Sequence, residues 1–300
     1  MLPIIDLDAY LASPISAAGQ TQAAACVEAL VTYGAFVLRD SRVSEHANDC
    51  FLDCMEDYFA QHEEELVKDT RPQYHYQVGA TLENTEKPKC HSDDDCRAVI
   101  ASLSPEERPL DLEGGKADPK CRFFHRMGIS PPTTAFPSLG KENVTPAAFA
   151  ANWASNMEDW GVQIKYAVED VARMLGDGLG VGDALVEAGK YGPHLLAPTA
   201  TDLVKYGQVG ERYHEVVCTP GTVAAMESRK ANPSTADRPQ IRISSTFFWH
   251  LSSDYSMDPA RFSKNVDPSL LAMSRDESFA PPMLVGTHVQ TELGLISLLA

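Results

Sequence analysis

Positive charge is scarce in this sequence: 25 Lys and Arg stand against 42 Asp and Glu in 300 residues, a formal net charge of −17. A surface that tracks phosphates needs clustered cations, so nucleic acid is excluded as the expected partner. The same charge disfavours an anionic membrane surface. Long apolar runs are missing as well, and no stretch approaches the roughly 20 residues needed to span a bilayer. Asp6 and Asp8 interrupt any apolar leader and no positive charge precedes them, so no signal peptide is expected. Cysteine is sparse and odd in number, seven in all, in a chain too long to need disulfide staples. A reducing, cytoplasmic setting follows as the expectation. There is no internal repeat and no low-complexity segment. Hydrophobic residues make up 44 % and charged residues 22 %, which suits a soluble protein with its own core.

The chain divides by texture into residues 1–68, 69–146 and 147–300. In the first part Pro3 to Leu7 suggests a short strand, and Val27, Leu30 and Val31 sit at helical spacing. Gly34 stops that helix before the apolar strand Ala35-Phe36-Val37-Leu38. Ser44 is placed to cap a second helix whose face carries Phe51, Met55, Tyr58 and Phe59. Residues 69–146 are rich in Pro, Asp, Lys and Gly and read as an irregular insertion, anchored by Tyr74-His75-Tyr76 and Arg122-Phe123-Phe124. A long helix then runs over about 147–175, with Trp153, Met157, Trp160, Ile164, Val168, Val171 and Leu175 in one stripe. Glycines 176, 178, 180 and 182 end it. Strands are expected over 212–217 and 241–250, and an amphipathic helix over 285–298.

His214 alternates with valines in Tyr213-His214-Glu215-Val216-Val217. Arg242 and Ser244 lie two apart on the next strand, so both side chains project to one face. An Arg fork binds a carboxylate bidentately and a serine hydroxyl adds a third hydrogen bond. A neutral imidazole on a neighbouring strand suits a metal. A metal ligand facing an anion clamp is the arrangement that chelates a dicarboxylic 2-oxo acid. Packing explains a lone His and an Arg-x-Ser equally well.

The blocks Leu2–Leu7, Tyr33–Val43, Arg242-Ile243-Ser244 with Phe247-Phe248, and Phe279-Ala280-Pro281-Pro282 through Gln290 occur in an order that resembles the isopenicillin-N-synthase-like family of iron and 2-oxoglutarate oxygenases. The resemblance implies an α+β fold, N-terminal helices packed on a double-stranded β-helix of jelly-roll type. It implies Fe(2+) and 2-oxoglutarate as cofactors, Arg242 and Ser244 as the co-substrate clamp, His214 as the distal iron ligand, and C–H oxidation of a small-molecule substrate.

One part of the pattern is absent. The family's first two ligands come as His-x-Asp upstream of the distal His, completing a two-histidine, one-carboxylate triad. The stretch from Gly192 to Gly207 contains no such motif and almost no strand alternation. Too few residues separate the long helix from His214 for the strands of a complete β-helix, so a block is inferred to be missing between about Gly207 and Arg212. His91-Ser92-Asp93 is the one His-x-Asp, on the wrong side of the long helix; His194 with Asp202 is a weaker pair. Other readings stay open: a catalytically inactive relative that binds a small carboxylate or a partner, a poorly folded product, or a zinc protein using Cys90, His91, Cys96, Cys121 and His125.

Overall fold

The computed structural model describes residues 1–87, 93–105, 108, 117–206, 219–258, 266, 282–296 and 298. Strand β1 (Ile4–Asp6) leads into α1 (Leu7–Ala12), where the Asp6 carboxylate caps the helix by accepting the Ala9 N–H at 3.1 Å. Helix α2 (Ala17–Tyr33) ends at Gly34, which takes the left-handed φ of 68° and lets the chain turn into β2 (Val37–Arg39), parallel to β1. Ser44 caps α3 (Glu45–Phe59) through the Ala47 N–H, as its position in the sequence predicts. A short α4 (Glu63–Leu66) follows, then β3 (Gly79–Thr81), α5 (Asp94–Ser102) and β4 (Cys121–Arg126).

The expected long helix is α6 (Trp153–Leu179), closed by Gly180 at φ 73°. Its most deeply buried positions include the small residues Gly161, Ala167 and Ala172 beside Trp153, Met157 and Met174, because α2 and α3 lie close against it. Gly176 and Gly178 belong to the helix; only the last two glycines of the series lie beyond it. After α6 come α7 (Ala184–Gly189), β5 (Leu195–Asp202), α8 (Leu203–Tyr206), α9 (Pro220–Ala231), β6 (Ile241–Phe248) and α10 (Val285–Leu295). Among the described residues no helix is long and apolar enough to cross a membrane.

Two sequence expectations need correction. The stretch 69–146 is not wholly irregular, since β3 and β4 from it form half of a four-stranded antiparallel sheet of order β3-β4-β5-β6. The stretch after Gly192 is not strand-poor either. Leu195–Asp202 is an eight-residue strand, buried on both faces and therefore apolar without alternation. Pro198 further obscures it. Proline has no N–H to give to a ladder, and the β4–β5 pairing skips Ala197 and Pro198. The strand expected over 212–217 lies outside the described residues.

Antiparallel partners share a face, so the register sorts the side chains. Leu196, Ala200, Ile243 and Phe247 turn towards the helices and join Phe123 and Ala80 in the main core. Trp153 is fully buried there, its ring 4.8 Å from Phe123 and 4.9 Å from Tyr58. Trp160 donates to the Ser245 hydroxyl at 2.7 Å and ties α6 to β6. Helix α9 buries no side chain; it is held by Arg229, which reaches the buried Glu56 of α3 at 2.7 Å. Arg238 grips the other oxygen of Glu56 through Nε at 2.7 Å. Trp153→Ala removes a large core side chain, and we expect a loss of about 3–5 kcal/mol, read as a lower urea midpoint.

Candidate functional site

The side chains that face away from the helices make a second surface of the sheet, here called the far face. Arg242 pairs with Thr201 and Ser244 with Thr199, so one guanidinium and three hydroxyls lie together across two strands. The Arg242 side chain has no hydrogen bond or ion pair among the described residues. Arg122 is next in line, opposite Thr199 from the β4 side. It is already engaged, paired with Glu86 and lying 3.8 Å above the Phe124 ring. Phe124, Leu195 and Ala197 continue the far face as an apolar patch. This arrangement can hold a carboxylate at the Arg242 end, beside aliphatic and aromatic side chains that are themselves buried.

Arg242 and Ser244 are thus on one face, as their spacing predicts. His214 and His91 lie outside the described residues. Asp93 is spent as a helix cap, its carboxylate accepting the N–H groups of Asp95 at 3.0 Å and Cys96 at 3.1 Å. His194 and Asp202 stand at opposite ends of β5, about 25 Å apart at the strand rise, and do not converge. Asp202 instead caps α8 through the Val204 and Lys205 N–H groups.

Of the zinc set, Cys90 and His91 lie outside the described residues. Cys96 is disulfide-bonded, while Cys121 and His125 are four residues apart on β4. His125 is taken up by Glu158 at 3.2 Å and Asn143 at 3.1 Å. Of the aromatic anchors expected in 69–146, Phe124 is on the far face. Phe123 is core and Tyr76 packs on the cluster around Phe136 and Leu293. Thr199, Thr201 and Arg126 share the far face without having been singled out in the sequence; only the register reveals them.

No family model matches the chain, and no curated protein matches its sequence. Solved structures do. A protein from Caulobacter crescentus assigned to the 2OG-Fe(II) oxygenase family superposes with a TM-score of 0.63 at 14 % identity, over 98 % of this chain and 99 % of that one. A full-length Neurospora crassa protein, crystallised in complex with alpha-KG, gives 0.60 at 15 % identity over 98 % and 96 %. JOX2, in complex with 2OG, Fe and JA, gives 0.56 at 14 % identity over 97 % and 84 %. The chain has the fold of the 2OG-Fe(II) oxygenases. In this oxygenase fold the helical layer, α3 and α6, backs the sheet that carries Arg242 and Ser244.

His194 lies behind the site on the helix-covered side. Its ring stacks on Trp249 at 5.5 Å and 16°, and its Nδ1 accepts the His250 N–H at 3.0 Å. Burial, then the charges of Lys165 and His250, push its pKa down from 6.5 to about 4. The unfolded chain takes up a proton near pH 6.5, which folded His194 refuses until about pH 4. Stability is therefore full above pH 6.5 and declines as pH falls through this window, by roughly 3 kcal/mol from this group. Urea midpoints taken from pH 7 to pH 4 are expected to fall steeply in the natural protein and less steeply in His194→Gln.

Proposed function

We propose that this chain binds 2-oxoglutarate, with Arg242 as a bidentate partner of the distal carboxylate and Ser244 giving a third hydrogen bond. The observation that carries the reading is a guanidinium with no partner among the described residues, set beside hydroxyls on the far face of an oxygenase-fold sheet. The crystals of the Neurospora crassa protein with alpha-KG and of JOX2 with 2OG lend it support. A carboxylate at this position would satisfy a half-buried charge that the protein leaves open.

Iron, when held in such a fold, supplies the activation of dioxygen and the oxidation of a C–H bond. The described residues do not fit it. No group of three His, Cys, Asp or Glu side chains among them is close enough to hold a metal. The far-face positions of β3 to β6 carry Thr81, Arg122, Phe124 and Arg126, then apolar and hydroxyl residues, Arg242 and Phe248, but no imidazole and no carboxylate. His214 is the one iron ligand in this reading. The chain is accordingly a 2-oxo-acid binder whose turnover is impaired, an incomplete relative of the small-molecule oxygenases. Its double-stranded β-helix is read as shortened at the join near Gly207.

Calorimetric titration with 2-oxoglutarate is expected to show saturable binding that weakens by about tenfold to a hundredfold in Arg242→Ala, the range set by charge-assisted hydrogen bonds of about 1.5–3 kcal/mol. Succinate release with Fe(II) and ascorbate should stay at background. Unchanged affinity in Arg242→Ala would remove the clamp, and stoichiometric iron with rapid succinate release would remove the impairment.

A further inference from the structure

The far face has a second cationic end. Arg126 of β4 pairs with Leu195, and Leu195 pairs with Phe248, so these three side chains share the far face at the end opposite the Arg242–Thr201 pair. Phe248 lies six residues beyond Arg242 on β6, about 20 Å at the strand rise. A five-carbon diacid held at Arg242 cannot reach that far. Any ligand of the second end is a second molecule.

Arg126 is fixed but not neutralised. Its Nε donates to the Lys141 carbonyl at 3.2 Å and its Nη1 to the Gly128 carbonyl at 2.9 Å. Neither acceptor is a carboxylate, and Nη2 has no hydrogen bond among the described residues. Burial lowers the Arg126 pKa from its usual value, with only Glu142 acting the other way. Two carbonyls thus orient a half-buried guanidinium that makes no ion pair among the described residues, with Glu142 the acidic charge that acts on it, a setting in which an incoming anion gains.

The surroundings are flat and apolar. Phe248 keeps 43 % of its surface open. Its ring meets Phe124 edge-on at 6.2 Å and runs parallel to His250, 6.2 Å away at 9°. Burial depresses the His250 pKa, and its Nδ1 is engaged with the Pro193 carbonyl at 2.7 Å. A planar body against Phe248 and an anionic head at Arg126 fit together.

We propose that the Arg126–Phe248 end is a second ligand subsite, selective for a small monocarboxylate with a planar apolar body. That this ligand is the substrate rests on the 2-oxoglutarate reading of the Arg242 end; the subsite itself rests on Arg126. Phenylacetate serves as the probe and phenylacetamide as its uncharged control, each titrated calorimetrically into the full chain with 2-oxoglutarate absent and saturating. Phenylacetate is expected to bind saturably in both conditions, at least tenfold more tightly than the amide. Arg126→Gln should lose at least tenfold in phenylacetate affinity while keeping 2-oxoglutarate affinity, Arg126→Lys should recover part of the loss, and Arg242→Ala should show the reverse pattern. Absent phenylacetate binding, equal binding of the two probes, competition between phenylacetate and 2-oxoglutarate, or full affinity in Arg126→Gln would each overturn the subsite. Should Arg126→Gln fail to fold, the acid–amide comparison on the unaltered chain decides. Arg126-dependent phenylacetate binding without 2-oxoglutarate binding would overturn the clamp and leave the subsite standing.

Discussion

Trp153 sits between Tyr58 and Phe123 with no surface left to solvent, and that aromatic contact fixes which way the strand residues point. Side chains alternate along a strand, so once Phe123, Ile243 and Phe247 are drawn into the helical layer, their neighbours must face the other way. Arg242 and Ser244 occupy their positions for this reason. A slip of one residue in β6 would put the guanidinium into the core and strand Ile243 on the polar side, an exchange costly in both desolvation and lost burial. The Trp160–Ser245 hydrogen bond adds a directional check on the same register.

The far face then has a graded character. Hydroxyls and Arg242 lie at one end, Phe124 and Ala197 in the middle, and Arg126 with Leu195 and Phe248 at the other end. Each position follows from pairing across β5, a strand with little chemistry of its own. Its contribution is to hold β4 and β6 in step. The gap in the β4–β5 ladder at Pro198 shows that this is achieved without a continuous set of hydrogen bonds, because both faces of the strand are buried.

The N-terminal helices and the long α6 were the legible part of the sequence, whereas α5, α7 and α9 were not read from it. A cap at Ser44, a stop at Gly34 and the stripe from Trp153 onwards all rest on local chemistry and on a period of 3.6. The spacing of Arg242 and Ser244 was equally readable, since two residues on a strand share a face whatever the fold. Strands β3, β4 and β5 were not. β3 is only three residues long, β4 is set in a stretch rich in Pro, Asp and Lys, and β5 lacks alternation because it is covered on both sides. Arg126 looked like any surface cation beside Met127 and Gly128. Its partners on the far face come from residues about seventy and one hundred and twenty positions later, a relation that no local pattern contains.

Glu56 gives the arrangement one further consequence. Helix α9 contributes nothing to the core, yet the chain that enters β6 passes through it and through Arg238, only four residues before Arg242. Two guanidiniums share a single carboxylate that is almost closed off from water. Salt will loosen such a contact little, whereas losing the Glu56 charge would free Arg229 from α3 and leave Arg238 only the more exposed Asp53 and Asp57 at the root of the strand. The clamp's position is therefore set partly from behind, by an electrostatic rivet on the opposite side of the sheet from any ligand.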